Sequence, residues 1–446
     1  MIDVDTLLHC RWVVPVVPRG LVLEEHAIAV DRGRIVEVLP SHAAADRYRA
    51  RETVHLAHHA VTPGLVNAHT HAAMTLLRGV GDDLPLMRWL TERIWPLEQA
   101  LVSPDFVYDG GRLAALEMLR SGTTCASDMY FYPDASVRAF RALGMRAVAG
   151  IIAIEVPTAY ASDAEDYLRK GLAARDNLRD DPLVSFTLAP HAPYTVSDAT
   201  LQRIAMLADE LDLPIHTHVH ETDDEVRRSI AQYGCRPLAR LDRLGLVSER
   251  LIAVHAVHLD DGEIDLLAER GASIAHCPAS NLKLGSGIAP IAEAVTAGIN
   301  LAIGTDGAAS NNRLDMLSEL RLAALLAKGA AEDARVLAAP AVLAAATLGG
   351  AHALGLQDRI GSIEAGKEAD LVAFDLAQAE TQPLYDVISH LVYSAGREQV
   401  SEVWVAGQRV VQGRQVLSAT AHADLMPSVG AWQNRCRQVL LTAGAS

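Results

Sequence analysis

The chain has 446 residues, half of them hydrophobic, and a formal net charge of -16 at pH 7. That length exceeds one ordinary domain and supports a large unit beside a smaller one, while the acidic balance excludes nucleic acid or an anionic membrane as partner, because carboxylates repel phosphate. The five cysteines are scattered and form no Cys-x-x-Cys, the start MIDVDTLLHCRWVVPVVPRG is not a signal peptide, and no run is long enough to cross a bilayer, so a cytoplasmic protein is expected.

In chain order, the first signals are β: Leu7 to Val17, Ala27 to Leu39 broken by the turn Asp31-Arg32-Gly33-Arg34, and Thr53 to Val61. From Leu65 onward, short apolar runs alternate with longer amphipathic stretches, the pattern of βα units around a parallel sheet. Eight candidate strands follow: LVNAHTH from Leu65, TCASDMY from Thr124, RAVAGIIAI from Arg146, LVSFTLAPH from Leu183, LPIHTHVHE from Leu213, LIAVHAVH from Leu251, ASIAHCPAS from Ala272 and INLAIGTDG from Ile299. Helix-start signals stand between them, such as Ser197-Asp-Ala-Thr and Asp260-Asp-Gly-Glu. Eight such units predict a (β/α)8, TIM-like barrel rather than an open doubly wound sheet. After Ala-rich helices from Leu314 to near Gly355, β character returns at Gly361 to Phe374 and Ser401 to Val416. The expected division is therefore a small β-sandwich from residues 1–63 plus 362–446 and a barrel over residues 64–361.

In such barrels the chemistry lies at the carboxyl ends of the strands. Here those ends carry His69 and His71, His191, the run His216 to Glu221, His255 and His258, His276, and Asp306. His69 and His71 share one side of a strand, so both imidazoles can meet one cation. Nitrogen and oxygen donors without thiolate suit Zn2+, with Fe2+ and Mn2+ as alternatives. On the fifth strand His216, His218 and His220 alternate and would all face one way; spacing does not choose among them.

The segments PGLVNAHTH, HTHVHE, AVHAVH, HCPASNLKLGSGIAP and GTDGAASNN closely resemble the metal-dependent amidohydrolase superfamily, and within it the 5'-methylthioadenosine/S-adenosylhomocysteine deaminases. GSIEAGKEADLVAFD resembles the stretch by which that superfamily re-enters its β-sandwich. The resemblance implies His69, His71, His218 and Asp306 as metal ligands and Glu221, three residues past His218, as a catalytic acid. Family members with two metals bridge them by a carboxylated lysine ending strand 4; here that strand ends Ala189-Pro190-His191, which implies one divalent ion per subunit.

By the same resemblance the reaction is hydrolytic deamination of an adenosine-type nucleoside to the inosine-type product and ammonia, with hydroxide drawn from a metal-acidified water. Asp306 would ligate the ion and accept the water's proton. Glu221 would protonate the ring nitrogen beside the attacked carbon, and His255 would hydrogen-bond the nucleophile and help move its proton. Glu98, in LTERIWPLEQAL, matches the family's ribose-binding glutamate, and His191, in APHAPY, a second substrate contact. Met87, Trp89 and Trp95 lie in the same insertion as candidates for an apolar lid, and His276 is a candidate for the pocket floor. No arginine or lysine stands between Gly150 and Ser162 to meet an amino acid carboxylate, which favours 5'-methylthioadenosine over S-adenosylhomocysteine, with adenosine as a second substrate. The alternative is another deaminase or hydrolase of the superfamily, acting on guanine, cytosine or an amino- or chlorotriazine. The resemblance also implies a homo-oligomer whose partner is a small nucleoside.

Overall fold

The computed structural model describes residues 1–418 and 424–443. Two eight-stranded sheets organise it. One is built from β1 (Ile2–Val13), β2 (Leu23–Asp31), β3 (Arg34–Pro40) and β4 (Tyr48–Pro63) at the start of the chain. To these it adds β13 (Leu371–Asp375), β14 (Val400–Val405), β15 (Gln408–Gln412) and β16 (Gln415–Val416) from the far end. β13 pairs antiparallel with β4, which is where the two ends of the chain join; β1 and β4 run parallel. The turn expected at Asp31 to Arg34 connects β2 to β3, with Gly33 at φ 77°, a left-handed conformation that glycine adopts without strain.

The other sheet is wholly parallel: β5 (Leu65–Thr70), β6 (Thr123–Asp128), β7 (Arg146–Ala153), β8 (Val184–Pro190), β9 (Ile215–Val219), β10 (Leu251–His255), β11 (Ser273–His276) and β12 (Asn300–Ile303), paired in chain order. These strands are nearly continuous in buried residues, as a sheet covered on both faces requires. The sheet closes just past β12, where the Asp306 amide donates to the His69 carbonyl at 3.0 Å. Beside it the Asn67 side chain accepts from the Thr305 amide at 3.0 Å and donates to the Thr305 hydroxyl at 2.7 Å, taking the place of a ladder bond. The expected (β/α)8 barrel is thus present, beside a sheet drawn from both ends of the chain.

The strands are shorter than the sequence pattern suggests. β9 ends at Val219 and β10 at His255, so His220, Glu221 and His258 lie on turns. His220 has φ 56° and His255 φ 70°. A left-handed residue interrupts the alternation on which a period of two depends, and His220 therefore leaves the face shared by His216 and His218. Among the described residues no helix is long and apolar enough to cross a membrane.

Candidate active site

At the carboxyl ends of the barrel strands, three histidines and one aspartate converge. His69 Nε2 and His71 Nε2 lie 3.3 and 3.2 Å from Asp306 Oδ1, and His218 Nε2 lies 3.2 Å from His69 Nε2. Their other ring nitrogens are occupied. His71 Nδ1 donates to the Met129 carbonyl at 2.6 Å, and His218 Nδ1 to the His191 carbonyl at 2.7 Å. His69 Nδ1 faces His216 Nε2 at 2.9 Å, and His216 Nδ1 lies 3.3 Å from Ser127 Oγ. A carbonyl can only accept, so His71 and His218 each hold a proton on Nδ1 and turn Nε2 inward. His69 Nε2 and His218 Nε2 face one another at 3.2 Å beside the Asp306 carboxylate, an arrangement that a cation between them would satisfy.

Charge points the same way. Burial pulls the His69 imidazole down to about 4. Burial also opposes charge on His71, but the Asp306 carboxylate outweighs it and holds that ring up at about 9. Asp306 itself resists the upward push of burial and sits well below the usual carboxylate range, because His69 and His71 bond it. The site therefore calls for positive charge beside Asp306 Oδ1, which a divalent ion supplies. All-nitrogen-and-oxygen donors with their far nitrogens fixed by hydrogen bonds fit such an ion. His255 belongs to the same cluster: its ring nitrogen and those of His69 and His218 all lie within 4.8 Å of one another.

Asp306 has φ 60°, and its second oxygen Oδ2 accepts from Ser280 Oγ at 2.6 Å and Ser310 Oγ at 2.8 Å. Two hydroxyls thus hold the carboxylate with Oδ1 facing the histidines. His255 Nδ1 pairs with Asn281 Oδ1 at 2.8 Å, which leaves Nε2 facing Glu221 Oε2 at 3.9 Å. Glu221 is buried, and burial raises its carboxyl above the ordinary value. The backbone amides of His220 and Glu221 both donate to the buried Glu225 carboxylate, at 3.0 and 2.9 Å, fixing the turn that presents Glu221.

Above this floor lies a cavity of about 440 Å³, lined at its base by His71, His191, His218, Glu221, His255 and Asp306. Glu98 is half-buried on its wall and accepts from the Tyr130 hydroxyl at 2.7 Å; burial raises its carboxyl too. His191 is held neutral, burial pulling it down to about 3, and its Nδ1 bonds Thr195 Oγ1 at 3.0 Å. Trp89 and Trp95 both line the cavity, whereas Met87 lines a smaller neighbouring one of about 170 Å³. The end of β7 contributes Ile152 and the segment after it Ile154, Val156 and Pro157, and none of the lining residues is an arginine or a lysine.

Every residue singled out at the strand ends is thus placed, but not all at the cavity. His276 is buried behind the floor and does not line it. His258 bonds the Ser286 carbonyl through Nε2 at 2.8 Å, and His220 faces Glu263 at 3.1 Å. The orienting residues Tyr130, Thr195, Glu225, Ser280, Asn281 and Ser310 escaped the sequence reading. Four of them stand inside segments already quoted there, TCASDMY, HCPASN and GTDGAASNN, where a polar residue just past a strand end was the available signal.

The model of the amidohydrolase family matches residues 60–410. A 5-methylthioadenosine/S-adenosylhomocysteine deaminase of Teredinibacter turnerae is 44% identical, the match covering 97% of this chain and 98% of that protein. The crystal structure of an adenosine deaminase from Xanthomonas campestris with bound zinc superposes with a TM-score of 0.96 at 54% identity, covering 98% of this chain and 99% of that one. An atrazine chlorohydrolase of Arthrobacter aurescens complexed with zinc shares the fold at a TM-score of 0.88 and 26% identity, covering 98% of this chain and all of that one.

Proposed function

The chain belongs to the amidohydrolase family, a metal-dependent family, and on that premise we propose that it deaminates an adenosine-type nucleoside by hydrolysis, releasing the inosine-type product and ammonia. The observation that carries this reading is the meeting of the inward Nε2 atoms of His69, His71 and His218 with Asp306 Oδ1 at the base of a cavity that Glu221 and Glu98 also line. These four ligands would hold one divalent ion, zinc first on donor type, within the barrel of residues 64–361. When bound, such an ion supplies Lewis acidity that brings the pKa of a water towards about 7.

The remaining steps fall to the chain's own groups. An ionised carboxylate offers about four lone-pair positions. Ser280 and Ser310 take two on Asp306 Oδ2, which leaves Oδ1 to ligate and to accept a proton. Glu221, protonated more readily than an exposed glutamate because it is buried, donates to the ring nitrogen beside the carbon that loses its amine. His255, with Nδ1 committed to Asn281, offers Nε2 to the nucleophile and then to the departing amine. Glu98, steadied by Tyr130, accepts from the vicinal ribose hydroxyls, and His191 meets the substrate as a neutral ring. The apolar wall after β7 and the lack of a lining cation suit a methylthio tail, so 5'-methylthioadenosine is the preferred substrate and adenosine a second. S-adenosylhomocysteine would bury a carboxylate without a partner.

An ammonia-release screen on zinc-loaded protein tests this, with 5'-methylthioadenosine, adenosine, S-adenosylhomocysteine, guanine, cytosine and a chlorotriazine in parallel. Turnover of the first two above the rest is expected. Silence on every nucleoside together with turnover of a free base or a triazine would sink the reading.

A further inference from the structure

The helix Leu425–Ala443 is remote in sequence from every residue placed at the site, yet it packs on the elements that flank them. It contacts the helix Trp95–Leu101, the helix Pro104–Arg120 and the 3-10 helix Ala72–Leu77. The 3-10 helix begins directly after His71, and Trp95–Leu101 carries Glu98. One terminal helix therefore touches both the segment leaving the histidine pair and the segment that reads the ribose.

Its contact face is built for that. Trp432, Cys436, Val439 and Leu440 recur at helical spacing. Trp432 and Cys436 are buried in one apolar cluster with Leu86, Trp89, Ile94 and Leu97, with Val439 and Leu440 packed against it. The Trp432 ring meets Phe106 edge to face at 5.3 Å, and its Nε1 donates to Asp109 Oδ2 at 2.9 Å. Both the apolar body and the polar tip of the indole are thus engaged.

The insertion it backs has little stability of its own. It is one helical run over residues 86–101, α-helical at Leu86–Trp89 and Trp95–Leu101, π-helical across Leu90–Ile94, and interrupted in its hydrogen bonding by Pro96. A single helix of this length with a π segment is marginal in water, so its placement must come from packing. We propose that the C-terminal helix is a strap that fixes this insertion over the cavity, with Trp432 as a positioning residue for Glu98. The proposal rests on the ribose-reading role given to Glu98 above.

The test uses the full chain. Trp432→Ala should raise KM for the nucleoside about tenfold while kcat falls less than about threefold, the split expected when binding contacts rather than chemistry are lost. Metal content should not change. Amide hydrogen exchange over residues 86–101 should quicken about tenfold with the barrel strands unaffected, the mark of local opening. Trp432→Phe, which keeps an aromatic edge for Phe106, should restore most of KM. Leu441→Ala, on the same helix but 74% exposed, should behave as the parent protein. If Trp432→Ala yields no folded protein, Leu440→Ala carries the same expectations at smaller amplitude. Unchanged exchange over 86–101 in the folded variant overturns the proposal, as does a loss confined to kcat. The exchange measurement needs no substrate; a parent protein that deaminates no nucleoside would overturn the proposed function and leave the strap to be judged on exchange alone.

Discussion

His255 Nδ1 has Asn281 Oδ1 as its acceptor, at 2.8 Å, in a buried setting where neither group meets bulk water. An amide oxygen accepts from the neutral ring and so keeps the proton on Nδ1, leaving Nε2 free to act towards the cavity. Asn281→Ala removes that acceptor, and the imidazole can then rotate or change tautomer. Loss of such an orienting partner costs about 10- to 100-fold in activity. We expect a kcat decrease in that range with KM within about threefold of the parent value, because Asn281 does not line the cavity. Steady-state kinetics on the metal-loaded variant decides it, and an unaltered kcat would show that His255 is oriented by something else.

At the scale of elements, the segments after β11 and β12 are held together by a helix that contributes nothing to the cavity. Glu319, in the helix Met316–Ala331, accepts from the Ala279 amide at 3.2 Å and from Asn311 Nδ2 at 2.8 Å, tying the short helix Pro278–Lys283, which bears Ser280, to the turn that bears Ser310. Burial pushes its carboxyl up to about 8. A carboxyl raised above its ordinary value of 4.5 contributes stability that is complete below that value and disappears as the pH climbs through the folded one. The melting temperature of the parent protein should therefore fall between pH 6 and pH 9 by more than that of Glu319→Gln, which cannot titrate; parallel curves would refute the assignment. Glu319 also shows what the sequence conceals. The eight apolar runs, the histidine pair and the carboxylate of Gly-Thr-Asp-Gly were legible, because periodicity and spacing are properties of one segment at a time. The bonds from Ser280, Asn281 and Glu319 join segments that only barrel closure brings together. His220 was misplaced on the face of His218 for a related reason: one left-handed residue ends the alternation, and no residue type announces it. The helix Leu425–Ala443 is a different case, since Trp432, Cys436, Val439 and Leu440 give a helical period that was there to be read.

For the whole molecule, the question is what fastens the barrel to the sheet formed by the chain ends. Arg146, the first residue of β7, is 1% exposed and lies at the amino ends of the strands, opposite the site. Its guanidinium donates to both oxygens of Asp370, at 3.0 and 2.9 Å, and to Glu368 at 2.6 Å, both residues standing just before β13. Asp370 Oδ1 also accepts from the Ala406 amide at 2.7 Å, so the same carboxylate grips the turn between β14 and β15. Asp370 further offers its backbone carbonyl to the Gly64 amide at 2.8 Å, where β4 passes into β5. Arg146→Met would fill much of the volume but strand the Asp370 carboxylate, while Glu368 keeps the Arg359 guanidinium at 2.8 Å. Breaking a buried pair from one side costs about 3–5 kcal/mol, far more than the pair is worth against an apolar replacement. Denaturant unfolding should show a loss of that size, and Arg146→Met combined with Asp370→Asn should recover part of it, since the amide no longer carries the stranded charge. Activity per folded molecule should stay within about twofold, because the ends of the strands that carry His69, His218 and Asp306 are not touched. A loss under about 1 kcal/mol would mean that water reaches the carboxylates and that the two sheets are joined mainly by the β4 to β5 connection and apolar packing.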